Sequence, residues 1–197
     1  MSGHNRWSQI KHKKGTADQK RGQLFSKLSQ LISLAARHGT DPDGNQELKN
    51  AIEKARAVDM PKDNIDRAIQ RVTEKGAAQL EELTIEVVGP EGSAWLISAI
   101  TDNRNRTMGE LKVILNEHGL KLATPGAVGW MFERSPSGMV AKYPTSPNPE
   151  LQEKLDHAVS ALEEQADVQT IYPNYAHSRN WSGHDNYWLW DNRKRSS

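Results

Sequence analysis

The sequence predicts an α+β protein in which a small three-helix bundle precedes a sandwich of a mostly antiparallel sheet with two helices on one face. Up to about residue 78, apolar residues recur at steps of three and four, which is the helical period. From about residue 79 to 173, short runs typical of strands are interleaved with two further helical stretches. Strand pairs that alternate with helices are typical of a layered α+β domain.

Three amphipathic helices are expected in the first part of the chain. The first has its apolar stripe within residues 24–35, and Gly39 follows as a stop signal. After a turn rich in Asp, Pro and Gly, a second stripe occupies residues 48–55. Pro61 suits the first turn of a third helix, whose inner face lies within residues 65–72. Short helices of this kind are marginally stable alone, so we expect them to pack together.

Five strands and two helices are expected in the second part. A turn containing Gly and Pro joins the first two strands, and Gly119 closes the first helix. The expected strands are residues 84–88, 94–100, 128–132, 139–141 and 168–172. The expected helices are residues 107–118 and 151–162. This order of elements is sufficient for one sheet covered by two helices.

We therefore expect three parts: a basic helical domain at residues 1–78, an α+β sandwich domain at 79–173, and a Trp-rich tail at 174–197. The aromatic rings of the tail could form a stacking or docking surface, or could fold back onto the sheet as a clasp. The sequence favours a clasp or a disordered end, because no pattern in this Asn-, Ser- and Gly-rich stretch holds the rings in place.

The charges are divided unevenly along the chain. The first 75 residues contain 15 basic and 9 acidic residues, and the first 40 contain eight Lys or Arg against Asp18 alone. From residue 76 onward there are 11 basic and 16 acidic residues. The formal net charge of +1 thus conceals a basic end and an acidic body. Such a division is typical of nucleic-acid binding and argues against a pocket enzyme.

The basic residues near the start of the chain are the first candidate nucleic-acid contacts. Lys and Arg can neutralise phosphates, whereas Trp7 can stack on a base or pack on the bundle, and packing is favoured for it. The alternative for the cations is a solvated basic arm. These candidates are Arg6, Trp7, Lys11, His12, Lys13, Lys14, Lys20, Arg21 and Lys27.

Two further groups of candidates lie later in the chain. One is a basic ridge on the third helix, for which an exposed face with an Asp63–Arg67 pair is an equally supported alternative. The other follows a buried strand, where Arg104 and Arg106 could hold a phosphate or guanine. There Asp102, Asn103 and Asn105 can cap the next helix or brace the loop, and capping is favoured for Asp102 and Asn105. The ridge candidates are Lys62, Arg67, Arg71 and Lys75.

No catalytic site, metal site or cofactor is expected. The absence of Cys excludes disulfides, thiolate zinc sites and cysteine nucleophiles. The chain also lacks the H-E-x-x-H, G-x-S-x-G and glycine-rich phosphate-loop motifs. No apolar run approaches the roughly 18–20 residues that span a bilayer, and the first residues lack the apolar core of a signal peptide. We expect a cytoplasmic, non-enzymatic protein without a membrane partner; an enzyme using scattered His, Asp and Glu is the weakest alternative.

Five stretches carry a family resemblance, and together they cover nearly everything before the tail. They are residues 3–14 (GHNRWSQIKHKK), 60–69 (MPKDNIDRAI), 101–107 (TDNRNRT), 126–134 (GAVGWMFER) and 167–174 (DVQTIYPN). In these stretches the chain resembles the YebC/PmpR family, which also includes the mitochondrial translational activator of cytochrome oxidase subunit one. Several long motifs in the same order are highly specific.

The resemblance implies a helical first domain, α/β domains after it, and a non-enzymatic role in gene expression. Some family members are described as DNA-binding transcriptional regulators and others as RNA- and ribosome-linked translation factors. The family's basic first domain maps onto residues 1–78. The expected partner is therefore DNA, ribosomal RNA or messenger RNA, with the ribosome as a further candidate. An irregular basic arm with a Trp suits structured RNA somewhat better. A protein-interaction adaptor is a lesser alternative, and the sequence carries no signal for an oligomeric state.

The sequence departs from the family in two places. Full-length relatives carry a further α/β module before the last helix, whereas here only residues 143–149 bridge that gap. We infer that this third module is an insertion whose removal leaves the middle domain closed. The Trp-rich tail is the second departure.

Overall fold

The computed structural model describes the backbone of residues 3–74, 79–135 and 138–175, and the side chains from residue 18 onward within those ranges. The chain forms two compact units, Met1–Gln79 and Leu80–Ser197. The helices of the first unit are α1 (Gly3–Ala36), α2 (Gln46–Ala57) and α3 (Lys62–Gln70), and a short 3-10 turn, Arg71–Thr73, follows α3. No helix in the described part of the chain is both long and apolar enough to cross a membrane.

The three helices pack around a core that the apolar stripes predicted. Buried residues of this core include Ile32 on α1, Leu48 on α2 and Ile65 on α3. Asn45 caps α2 by accepting a hydrogen bond from the Leu48 N–H at 3.1 Å. Its amide also donates to the carbonyl of Ala35 at 2.8 Å and ties the end of α1 to the start of α2. A buried cap of this kind satisfies backbone groups at both helix ends.

Helix α1 is longer than the apolar stripe indicated. The expected irregular basic arm is wrong, because the backbone from Gly3 to Ala36 is one continuous helix of 34 residues. The stripe covers only its second half, where Leu28 and Ile32 are buried. Lys, Arg, Gln and Ala are good helix formers, so the first half can be helical without an apolar face.

The second unit contains six strands and two α-helices in its described residues. Its elements in chain order are β1 (Glu81–Val88), β2 (Ala94–Thr101), α4 (Arg104–Glu117), β3 (Lys121–Leu122), β4 (Phe132–Ser135), β5 (Gly138–Ala141), α5 (Pro149–Glu164) and β6 (Val168–Pro173). Four strands form an antiparallel sheet in the order β3–β1–β2–β6. In its register, Ile85 of β1 and Ile171 of β6 both pair with Ile97 of β2.

Alternating residues of the strands face α4 and α5. On that face, Ile85 and Trp95 pack against Leu111 of α4 and Leu155 of α5 in one buried core. This arrangement follows from the two-residue period of a strand, which sends alternate side chains to opposite faces. The expected α+β fold with a mostly antiparallel sheet and two helices on one face is confirmed.

The sequence suggested a single five-stranded sheet, and this prediction is wrong because the strands form two sheets. Strands β4 and β5 form a separate two-stranded sheet, whose Phe132 and Met139 cover the other face of the main sheet at Leu96. The expected strand at residues 128–132 is mostly a 3-10 turn, Gly129–Met131, and only its last residue begins β4. Strand β3 was not expected, because two residues are too few to show a period.

Residues 143–149 connect β5 to α5. Within this stretch, Thr145 is hydrogen-bonded to residues that directly follow β6. The Thr145 N–H donates to the carbonyl of Asn174 at 2.7 Å, and Thr145 also pairs with Tyr175 in a parallel bridge. Asn148 caps α5 by accepting from the Leu151 N–H at 2.9 Å. Asn174 and Tyr175 are buried within this unit, and the rest of the expected tail, with its stacking or clasp role, lies outside the described residues.

Candidate nucleic-acid interface

Helix α1 is uncovered at the end of its first half. Residues 18–22 are all exposed, and five consecutive residues cover more than the roughly 3.6 residues of one helical turn. No side of the helix is therefore packed at this point. The helical backbone continues to Gly3, and at about 1.5 Å per residue the segment 3–22 is about 30 Å long.

This segment carries most of the positive charge of α1. Residues 3–22 contain six Lys or Arg against one acid, Asp18. Positions 6, 13, 20 and 27 are seven residues apart, as are 14 and 21. Seven residues are close to two turns, so the backbone positions within each series follow one side of the helix. We call these two series the basic rows; the sequence reasoning did not identify them, because it treated the segment as irregular.

The described side chains of the basic rows are Lys20, Arg21 and Lys27. Lys20 and Arg21 are exposed, and Lys27 is partly buried. The Arg21 guanidinium carbon lies 5.3 Å from the centre of the Phe25 ring, a cation–π contact that draws this side chain along the helix. The side chains of the remaining arm candidates lie outside the described residues, and their roles stay predictions. They are Arg6, Trp7, Lys11, His12, Lys13 and Lys14.

The basic ridge on α3 is shorter than expected. Lys62, Arg67 and Arg71 are exposed, but the helix ends at Gln70 and Arg71 begins the 3-10 turn. Arg67 donates to the backbone carbonyl of Asp63 at 3.0 Å and to the side chain of Asn64. Its hydrogen bonds are thus made within its own helix. Lys75 lies outside the described residues.

The segment 101–107 supplies a helix cap, and of its three candidates Asn103 provides it. Asn103 accepts a hydrogen bond from the Arg106 N–H at 3.1 Å and is the N-cap of α4. The capping role expected for Asp102 and Asn105 is therefore wrong. Asp102 accepts from the Arg106 guanidinium at 2.9 Å instead, and Asn105 lies within the first turn of the helix.

Arg106 already has carboxylate partners in its own unit. Its guanidinium donates to Asp167 at 3.0 Å as well as to Asp102, and the hydrogen bond to Asp167 is the main cause of its raised pKa. Burial by itself would raise the pKa of Asp167. Its hydrogen bonds from Thr107 (2.7 Å), Arg106 and Gln165 have a larger combined effect, so the pKa is lowered. Arg106 therefore braces the start of α4 against the segment before β6.

Arg104 remains the more available of the two arginines in this segment. Its side chain is exposed and lies 4.0 Å from Glu81, at the limit of an ion pair. Arg104 and Arg106 belong to the second unit, whereas the basic rows belong to the first.

The loop around the GAVGWMFER stretch contains a feature that sequence reasoning missed. The Glu86 carboxylate accepts hydrogen bonds from the N–H groups of Gly126 (2.6 Å), Val128 (2.6 Å) and Gly129 (2.9 Å). Desolvation raises the pKa of Glu86, but these three bonds together lower it. The only sequence signal was an acid between the two inward-facing residues Ile85 and Val87 of β1. The loop presents Trp130, whose ring is 61% exposed.

Two family models match this chain in succession. Residues 5–75 match the TACO1/YebC protein N-terminal domain, and residues 80–143 match the TACO1/YebC second and third domain. The chain belongs to the TACO1/YebC family. The family resemblance found in the sequence is thereby confirmed. The second match ends at residue 143, where the third module of full-length relatives was expected to be missing.

Relatives within the TACO1/YebC family are about half identical to this chain. A "probable transcriptional regulatory protein" of Chloroherpeton thalassium is 51% identical over 144 residues, 72% of this chain and 58% of that protein. Another of the same name, from Desulforamulus reducens, is 52% identical over 135 residues, 68% of this chain and 56% of that protein. The chain thus spans somewhat more than half the length of these relatives.

A solved structure supports the fold assignment. The crystal structure of a conserved hypothetical protein, Aq1575, from Aquifex aeolicus is similar with a TM-score of 0.76 and 27% sequence identity. The similarity covers 84% of this chain and 94% of that one. Among the side chains described in this family member, no group of three or more His, Asp or Glu could hold a metal ion.

Proposed function

We propose that this protein is a non-enzymatic, nucleic-acid-binding regulator of gene expression whose helix α1 contacts phosphates. The observation that carries the proposal is a continuous helix whose residues 3–22 contain six basic residues against one acid and whose residues 18–22 are all exposed. Relatives that are about 50% identical are named probable transcriptional regulatory proteins, which supports a regulatory role. Residues 1–78 are then the binding domain, and residues 79–173 are the body.

The binding energy in this proposal comes from the release of counterions. A helix with two rows of Lys and Arg places several cations along one polyanion, and each neutralised phosphate releases condensed ions. The acidic second unit, with 11 basic and 16 acidic residues from position 76 onward, is less suited to the same contact. Binding by phosphates alone carries little sequence information.

The helical form of the basic segment makes DNA a suitable ligand. A helix about 10–12 Å across fits the roughly 12 Å wide major groove of B-DNA. The major groove of an RNA duplex is too deep and narrow for side chains to read. The regulator we propose is therefore transcriptional and DNA-binding. A ribosome-associated, RNA-binding translation factor is the second candidate, and the exposed aromatic ring of Trp130 favours it because rings stack on unpaired bases.

The test is a salt titration of the full chain with three fluorescent ligands of equal length: a DNA duplex, single-stranded DNA and single-stranded RNA. With about five phosphate contacts, log affinity should fall against log salt with a slope of roughly −4.5 for the duplex and roughly −3.5 for the single strands. Affinity that does not change with salt would contradict the proposal. A clear preference for RNA would instead support the second candidate, the RNA-binding translation factor.

A variant with two reversed charges tests whether α1 makes the phosphate contacts. The double variant Lys13→Glu/Lys14→Glu should weaken binding at least tenfold and reduce the slope by about 2. Lys49→Glu, on the exposed side of α2, is the matched control and should have little effect. An adaptor that binds protein would keep its partner in both variants.

A further inference from the structure

Two aromatic side chains of the second unit lie exposed beside each other. Trp130 is 61% exposed and Tyr143 is 57% exposed. The centres of their rings are 5.7 Å apart, and the ring planes are inclined by 55°. Among the described side chains, the only other large hydrophobic residue this exposed is Val113, on α4. We call Trp130 and Tyr143 the aromatic pair.

The ring of Trp130 is held in place by its own loop. Its indole N–H donates to the carbonyl of Ala127 at 2.9 Å. The same loop is bound to β1 by the three hydrogen bonds to Glu86. Because the indole N–H is already used, Trp130 offers its carbon face to a ligand. A ring ordered in advance loses little conformational entropy on binding.

The size of the aromatic pair distinguishes between classes of partner. An aromatic side chain has a surface of roughly 150–250 Å², so the two rings together expose about 200–300 Å². A stable protein interface needs about 800 Å² from each partner, with an apolar centre. The pair is too small for such a centre, but its area matches the faces of one or two nucleobases.

A lysine adjoins the pair in the chain. Lys142 is exposed and directly precedes Tyr143, and its backbone N–H donates to the carbonyl of Met131, the neighbour of Trp130. Among the described residues, its ammonium makes no ion pair. A Lys next to stacking rings is the combination by which single-stranded nucleic acids are bound without sequence preference.

We propose that Trp130 and Tyr143 form a stacking site for one or two unpaired bases of a single-stranded nucleic acid, with Lys142 contacting the adjoining phosphate. The inference rests on the nucleic-acid binding that the proposed function and its RNA-binding alternative share, and deepens it. It names the unpaired base as the group that the second unit recognises, while α1 supplies the sequence-independent phosphate contact.

The test compares two single strands of equal charge. One is an oligothymidylate of about 12 nucleotides, and the other is the same backbone without bases. The full wild-type chain should bind the strand with bases about tenfold more tightly than the abasic strand. Trp130→Ala should lose most of this preference, and Trp130→Phe should keep much of it. Val113→Ala, which removes an exposed apolar side chain from the same unit, should leave the preference unchanged.

The salt slope in the same titrations separates the two proposals. If affinity falls with salt as expected but Trp130→Ala keeps the full base preference, the stacking site is refuted and the proposed function stands. If neither strand binds, the stacking site is refuted, and the proposed function is then decided by the duplex titration alone. Quenching of Trp130 by acrylamide, taken as the difference between wild type and Trp130→Phe, provides a readout independent of affinity. Trp130 should be accessible in the free protein and protected by the oligothymidylate; a ring already shielded in the free protein would overturn the proposal.

Discussion

Asp102 and Asp167 accept hydrogen bonds from the same nitrogen of Arg106, yet their environments differ. The Asp102 side chain is 40% exposed, whereas that of Asp167 is 5% exposed. An exposed ion pair contributes little to stability, because water screens it and both side chains lose freedom. A buried carboxylate must keep its partners, because an unpaired polar group away from water is costly. The two residues therefore form a natural comparison at the residue scale.

Asp167→Asn should destabilise the second unit by about 2–3 kcal/mol, because the charge that holds Arg106 and Thr107 is lost in a buried site. Asp102→Asn is the control and should cost less than about 1 kcal/mol. Urea unfolding followed by circular dichroism measures both. Equal effects of the two substitutions would show that the burial of Asp167 is not what matters.

Glu86 and Asp167 also contribute to how this unit responds to acid. The pKa of each carboxyl group is lowered in the folded protein, so folding favours the ionised form. The resulting stability is fully present above the unfolded pKa of about 4 and is lost as the pH falls through the lower folded value. The urea midpoint should therefore be nearly constant from pH 7 to about 5 and decline below that.

Glu86→Gln should lower stability at pH 7 by about 1–2 kcal/mol, since an amide cannot accept all three N–H groups as a carboxylate does. It should also make the decline in acid shallower, because one of the carboxyl groups with a lowered pKa no longer titrates. Urea midpoints at several pH values measure both effects. Glu133→Gln, exposed on β4, is the matched control. An acid response identical to that of wild type would rule out Glu86 as a contributor.

The helices illustrate what a hydrophobic period can and cannot predict. In α2 the expected stripe is the buried face, and Leu48, Ala51, Ile52 and Ala55 are all in the core. The first half of α1 has no apolar stripe, so the hydrophobic period did not predict that it is helical. Its helicity depends on intrinsic propensity and on continuity with the packed half. The basic rows, which only a helix creates, were missed for the same reason.

Gly22 is a weak point of the basic helix. It is exposed, and a Cβ at this position would meet nothing within 4 Å. Gly22→Ala should stabilise α1 by about 0.5–1 kcal/mol and raise the helical signal at 222 nm. If the helix is the binding form, affinity for nucleic acid should rise by up to about fivefold, because the variant loses less conformational entropy on binding.

Gly109→Ala is the matched control for this substitution. Gly109 also lies in a helix, α4, with nothing within 4 Å of its added Cβ. It should increase stability without changing affinity. Equal affinity changes in both variants, or none in Gly22→Ala despite a higher helical signal, would contradict a binding role for helical α1.

At the scale of the whole molecule, the fold class followed from the sequence because local periods determine helices and strands. The separate β4–β5 sheet did not, since it depends on contacts with the far face of the main sheet at Leu96. The hydrogen bonds between Glu86 and the loop around Gly126 join residues about 40 positions apart in the chain. Local sequence patterns do not predict contacts over such a separation. The same limit applies to the aromatic pair, in which Trp130 and Tyr143 come from different elements.

The division of charge between the two units gives a prediction for the molecule as a whole. Lys20→Glu on α1 and Lys112→Glu on α4 alter the net charge equally, from +1 to −1, and both positions are exposed. If phosphates touch α1, Lys20→Glu should reduce the salt slope of duplex binding by about 0.9, the value of one contact. Lys112→Glu should leave the slope unchanged, because it removes no cation from α1 and so no phosphate contact there. Equal changes in the two slopes would mean that the ligand responds to the net charge and not to the basic helix.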